Sequence, residues 1–407
     1  MSAPTPRATG WVAHLRAGGT TPWAAFGAEA GVSTGSTSGG STSGVSTGST
    51  SGGSTSAGST SGGSTSGGST SGAWTPGAQQ LEVLRRLNEL GRPGPALVER
   101  VLAADLVGRG RGDLGLVGEP QRRFGTPPVD PADLPTPELL RVVTGLLAED
   151  VVRAGTPTPP APRRPRWRRV RYRLHGDPWL AVPMREELTR HGYPPGGGRA
   201  VTYLIGRDLG SMLVDAWTRR ALVDGAAPWP LWLKKLHRAD RIPPRADLLR
   251  QARWWADRVG ADRVRIVTDP ALVPDILGVD MPLPAPPVLA ADALELARRV
   301  SPLVGLFAGP GHREQLMRHG LLPRLAAVPG EPVGVPAPYR GWVEERAAAV
   351  HRDLLRGDYA VLGDPALVLG PPPAGVSPSE RSVLVLAMRT LLENDPESRT
   401  QSVAEGA

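Results

Sequence analysis

Residues 170–222 limit what this chain can fold into more than any other stretch. Residues 170–174 alternate apolar and basic side chains and run into His175-Gly176-Asp177-Pro178, where Gly and Pro end an extended segment. The residues that follow place Leu180, Met184 and Leu188 on one helical face and Arg185, Glu186, Glu187 and Arg190 on another. A Gly/Pro loop leads to the β-rich 200–205, with Val201, Tyr203 and Ile205 on one side. Gly206 frees the backbone to turn into a helix carrying Leu209, Leu213, Ala216 and Trp217. A period that switches between about 2 and about 3.6 within so few residues belongs to β-α-β units. The expected fold class is α/β: a small, mainly parallel sheet covered by helices, with an N-terminal helical region and a disordered Gly/Ser/Thr linker.

The linker is expected at 31–73. Residues 31–72 repeat a GGSTSGGST pattern with no charged residue and, past Val32, only Val45 and Ala57 as apolar interruptions. Such a tract cannot bury enough surface to offset its ordering entropy. Before it, Trp11, Leu15, Trp23 and Phe26 are too apolar for a free tail, so residues 1–30 are expected to dock on the body. After it, Leu81, Leu84, Leu87 and Leu90 keep helical spacing up to Gly91 and Pro93, and further helices are expected at 96–106 and 137–152. Residues 74–155 thus read as a helical subdomain, 156–169 as a Pro/Arg-rich hinge, 170–394 as the α/β domain and 395–407 as a disordered tail. Within the α/β domain a strand is expected at 263–268, ended by Asp269-Pro270, and a short strand or turn at 359–362. Later helices are expected near 290–300, 311–320, 341–356 and 379–393. Trp229, Trp232, Trp254 and Trp255 are expected to bury against the sheet.

Composition removes several functions. Cysteine is absent, which excludes disulfides, thiolate metal sites and Cys nucleophiles. The opening residues hold no apolar signal-peptide core, and no apolar run approaches the roughly 18 residues that span a bilayer. A cytoplasmic protein without membrane contact is the expectation. The net charge of +8 comes almost wholly from arginine, with lysine only at Lys234 and Lys235. The densest basic run is 163–173, where Arg163, Arg164, Arg166, Arg168, Arg169, Arg171 and Arg173 enclose Trp167 and Tyr172. Phosphate neutralisation plus base stacking would suit nucleic acid or another polyanion. The alternation equally suits a first or edge strand with its arginine side in water.

Other chemistry finds less support. His312, Glu314 and His319 fall on one expected helix, but the two histidines are seven residues apart, where a zinc-binding pair needs four. No G-x-S-x-G occurs. Gly196-Gly197-Gly198 precedes a strand instead of following one, and the Gly-rich 108–118 lacks the G-K-[ST] of a phosphate loop. Asp208, near a helix start, reads as a cap.

Three segments carry a family resemblance: VTYLIGRDLGSMLVDAW, with its Arg-Asp pair between strand and helix; WADRVGADRVRIVTDP; and GWVEERAAAVHRDLLRGDYAVLGDPALVL. Together residues 170–394 resemble the sulfotransferase-like proteins of actinobacteria, a P-loop-related α/β family. The resemblance implies a sheet whose first strand ends in a donor-binding turn, and 3'-phosphoadenosine 5'-phosphosulfate as the donor. It implies donor contacts at Gly176, Arg207 and Ser211. The matching turn, Gly176-Asp177-Pro178-Trp179-Leu180-Ala181-Val182, has no Lys and no hydroxyl and puts an acid where an anion would sit. The expectation is therefore a sulfotransferase-like protein that has lost donor binding and acts by binding a ligand or a protein partner. Alternatives are an active sulfotransferase, with Arg207, Arg199 and the arginines of 169–173 replacing the missing Lys, and a polyanion binder.

Overall fold

Four short strands pair side by side in the order in which they occur in the chain, all parallel. They are β1 (Tyr172–Gly176), β2 (Val201–Ile205), β3 (Val264–Val267) and β4 (Ala360–Leu362). The computed structural model describes residues 5–27, 76–104, 113–119, 126–157, 161, 163, 171–197 and 199–395. The expected linker, most of the basic run and the tail past 395 lie outside the described residues. The described helices are α1 (Pro6–Arg16), α2 (Ala78–Leu90), α3 (Pro95–Leu102), α4 (Thr136–Ala154), α5 (Pro178–Arg190), α6 (Leu209–Val223) and α7 (Trp229–Arg238). After them come α8 (Leu248–Val259), α9 (Val273–Leu277), α10 (Ala291–Phe307), α11 (Pro310–Gln315), α12 (Leu322–Ala326), α13 (Ala337–Arg356) and α14 (Glu380–Asn394).

Residues in register across parallel strands share a face. Tyr172, Leu174, Tyr203, Ile205, Val267 and Leu362 therefore line one side of the sheet. Leu180, Ala181, Met184 and Leu188 of α5 and Val273 and Leu277 of α9 fill that side. The other side carries His175, Leu204 and Ile266, and α8 packs on it against β2 and β3. The alternation expected at 170–174 is real but shifted toward the C-terminus, because the ladder with Val201–Ile205 runs from Tyr172 to Gly176. With β2 on one flank only, β1 is an edge strand.

The chain clusters into two units: Met1–Ala103 with Gly110–Pro135, and Ala104–Arg109 with Thr136–Ala407. In the first, Trp11, Leu15 and Trp23 are buried, and Asn88 Nδ2 of α2 donates to Leu15 O and Gly19 O at 2.9 and 2.8 Å. The described part of the N-terminal piece, residues 5–27, is held to α2 through these bonds. Helix α4 departs from expectation, since it belongs with the α/β unit and not with a helical subdomain at 74–155. Its buried stripe of Leu139, Leu140, Val143, Leu146 and Leu147 packs against α10 and α14. The stripe shows that a face is covered; which helices cover it is a tertiary matter.

Two further helices differ from their expected form. Helix α10 continues through Pro302 to Phe307, with Val304 buried and Ser301 Oγ donating to Leu222 O at 2.7 Å. The segment expected as one helix at 311–320 contains a π turn at Leu316–Leu321. That turn adds a residue to the helical register, so the seven-residue spacing of His312 and His319 no longer puts them on one face.

The tryptophans divide. Trp217 meets Trp229 tilted at 54° and Trp229 stacks on Trp232, at 5.4 and 5.5 Å between ring centroids, and Trp229 Nε1 donates to Gly334 O at 2.8 Å. The expectation of burial against the sheet fails for Trp254, whereas Trp255 is half-buried and packs its ring on His175 of β1. Leu248, Leu249 and Ala252 form the buried stripe of α8, and helical spacing turns Trp254 away from it, leaving it 48% exposed.

Candidate functional site

Every strand of the sheet leaves at its C-terminal end through an aspartate that caps the helical turn behind it. Asp177 Oδ1 accepts from Trp179 N at 2.9 Å at the start of α5, and Asp208 Oδ1 accepts from Ser211 N at 2.7 Å at the start of α6. Asp269 and Asp364 accept from Ala271 N and Ala366 N, each at 2.9 Å, at the 3₁₀ turns Pro270–Leu272 and Pro365–Leu369. A short carboxylate two residues ahead of a free amide is what an exposed helix start needs, and Pro at the first helical position removes a donor that would go unpaired. Asp177-Pro178, Asp269-Pro270 and Asp364-Pro365 use both devices.

The candidate site lies where β1 and β2 end. Gly176 is opposite Ile205 in the ladder, and Asp177 N donates to Ile205 O at 2.8 Å. A Cβ on Gly176 would sit 2.1 Å from Ile205 O, and the residue has a φ of 102°. Only glycine fits a left-handed position pressed so closely on a neighbouring strand. Asp177 is 1% exposed and Asp215, on α6, is 4% exposed. Arg207, just after β2, donates from Nε to Asp215 Oδ2 at 3.0 Å and from Nη2 to the same oxygen.

Two buried carboxyls side by side cannot both be ionised at modest cost. Burial, then the charge of Asp215, pushes Asp177 well above the usual carboxylate range. Burial also raises Asp215, but the Arg207 guanidinium works against that rise. Of the two, Asp177 is therefore the carboxyl that binds a proton more readily. Its Oδ2 is buried and faces no hydrogen-bond donor, and when Asp177 is protonated that hydrogen has the Asp215 carboxylate as its neighbouring acceptor. The arrangement is a chain: Arg207 pairs with Asp215, Asp215 is the electrostatic neighbour that raises Asp177, and Asp177 in turn caps α5.

Gly176, Arg207 and Ser211, the residues the resemblance picked out, are thus brought to one corner of the sheet. There each is engaged within the chain itself. Gly176 serves strand approach, Arg207 is committed to Asp215, and the backbone amide of Ser211 is committed to Asp208. The helix N-terminus that would receive a phosphosulfate is capped by Asp177 from its own chain.

Set against family models, curated proteins and solved structures, the chain matches none.

The rest of the corner follows from its own geometry. His175, at the end of β1, packs its ring 4.3 Å from that of Trp255. Burial, followed by the nearby Arg185 and Arg173, lowers it to about 4, so it is a neutral ring at physiological pH. Among the described residues no group of His, Asp and Glu has the arrangement to hold a metal ion. No described helix is long and apolar enough to cross a membrane. Asp177 and Asp215 are far apart in the chain, and no spacing rule connects them. The signal available was the acid standing where an anion would bind, and the corner is built around that acid.

Proposed function

We propose that this chain is a cytoplasmic binding protein on a sulfotransferase-like sheet, without sulfuryl transfer, and that its inherited donor corner has become structural. One observation carries the reading: Arg207, the cation available to a donor phosphate, is paired with the buried Asp215. A doubly charged anion arriving there would have to take Arg207, one-third exposed, from the buried Asp215 and displace a helix cap. Breaking a fully buried pair costs about 3–5 kcal/mol, and this partly exposed one costs less while leaving the buried Asp215 charge without its cation. The active-transferase alternative draws its cation from Arg207 as well, and meets the same obstacle. A reducing compartment accords with a chain that uses no cysteine.

The test is a thermal titration with 3'-phosphoadenosine 5'-phosphate, the spent donor. A ligand at about 100 times its dissociation constant adds about 2.7 kcal/mol to stability. No shift at millimolar nucleotide is expected, for the wild type or for Asp177→Asn. A saturable shift in the wild type overturns the reading.

A further inference from the structure

The outer face of α8 is a different kind of surface. Leu248, Leu249 and Ala252 point inward, and helical spacing puts Arg250, Arg253, Trp254 and Arg258 together on the solvent side, all exposed. Arg258 lies over the indole of Trp254, its guanidinium carbon 3.4 Å from the ring centroid, and its Nη1 donates to Trp254 O at 2.9 Å. Trp255 meets Trp254 edge-on at 4.8 Å and continues to His175 at 4.3 Å. His175 shares its face of β1 with Arg173. A continuous path of exposed and half-exposed groups therefore runs from the edge strand across two indoles to the arginines of α8. Asp257 is the one acid on that outer face of α8.

Helical position holds the Trp254 indole on the solvent side, 48% exposed, where part of it is open to a ligand. Its value is to a ligand with a flat face, and the arginines around it call for negative charge at the same spacing. Unpaired nucleotides offer both, because a base can stack on an indole or a guanidinium plane while its phosphate pairs with arginine. Duplex DNA hides its base faces inside the stack and would meet only the charges. We propose that the α8–β1 surface binds single-stranded nucleic acid, with Trp254 as the stacking platform and Arg173, Arg253 and Arg258 as phosphate partners. This goes beyond the donor-corner reading and does not depend on it, since the surface includes none of Arg207, Asp215 and Asp177.

The experiment uses the full chain and a fluorescently labelled oligothymidylate of about 20 nucleotides, read by anisotropy over a salt series starting near 50 mM. Saturable binding is expected, weakening with salt by a slope of about −0.7 for each phosphate engaged. Trp254→Ala should weaken binding about tenfold while Trp254→Phe keeps most of it, as loss of one stacked base implies. Arg258→Glu should reduce both the affinity and the salt slope. Thermal melting of each variant verifies that the fold survives, which the exposure of Trp254 favours. No binding at the lowest salt overturns the proposal, and so does an affinity unchanged in Trp254→Ala. Equal or tighter binding to a duplex of the same length, to inorganic polyphosphate or to phosphatidylserine vesicles overturns it as well, since each shows charge without stacking. The nucleotide titration described above, repeated on Trp254→Ala, keeps the two readings apart. A shift there speaks against the donor-corner reading alone.

Discussion

Gly176 and Asp177 are neighbours that resist substitution for unrelated reasons. Gly176→Ala places a methyl group 2.1 Å from Ile205 O at a left-handed φ, so strands β1 and β2 must part or the backbone must flip. A loss of about 3 kcal/mol or more is expected in chemical denaturation. Asp177→Asn is a gentler change. Asn caps helices as well as Asp does, and its amide supplies the hydrogen that Asp177 gives to Asp215 only when protonated. The sign of the pH effect follows from the raised carboxyl. An acid whose folded value lies above its unfolded value, about 3.9, carries no penalty below that pH and a growing one as pH rises toward the folded value. The stability of Asp177→Asn relative to wild type should therefore be larger at pH 8 than at pH 5 in paired melting curves. A difference independent of pH would show that Asp177 is not the protonated partner. Part of this scale was legible: Asp208 as a cap follows from a local rule, and the acid in the turn after β1 was singled out by the resemblance. The Asp177–Asp215 contact was not, because it joins two elements whose relative placement only the folded sheet decides.

At the scale of elements, the sequence exposed periods and stops better than partners. The helical stripe of α4 and the strand-to-helix switches around 170–222 follow from spacing, and their positions agree within a few residues. That α4 serves α10 and α14 is written in no local pattern. It has a measurable consequence: Leu140→Ala, in a side chain 1% exposed, should cost about 2–5 kcal/mol and destabilise the α/β unit that holds the sheet. Fluorescence of Trp217, which packs in that unit, would report the loss in a denaturant titration; a change confined to the unit containing α2 would contradict the assignment of α4. The error over Trp254 has a simpler origin. Residue 254 lies nearly opposite 252 on a helix, so the wheel alone puts it outside.

For the whole molecule, two compact units divide the chain, and the Gly/Ser/Thr repeat joins segments of the first of them. Closure cost rises only with the logarithm of loop length, so halving the repeat should change stability by about 0.6 kcal/mol. Thermal melting of such a deletion is the check, and a change beyond about 2 kcal/mol would mean that the tract contributes packing. The consecutive order of the strands reaches further, into how the protein is made. No strand has to be inserted between two already paired, so each can add to an edge left open by the one before it as the chain leaves the ribosome. A nascent chain stalled after β3 already owns three-quarters of its sheet and lacks only an outer strand of three residues. Synthesis and assembly of the sheet can therefore proceed in the same direction, one strand at a time.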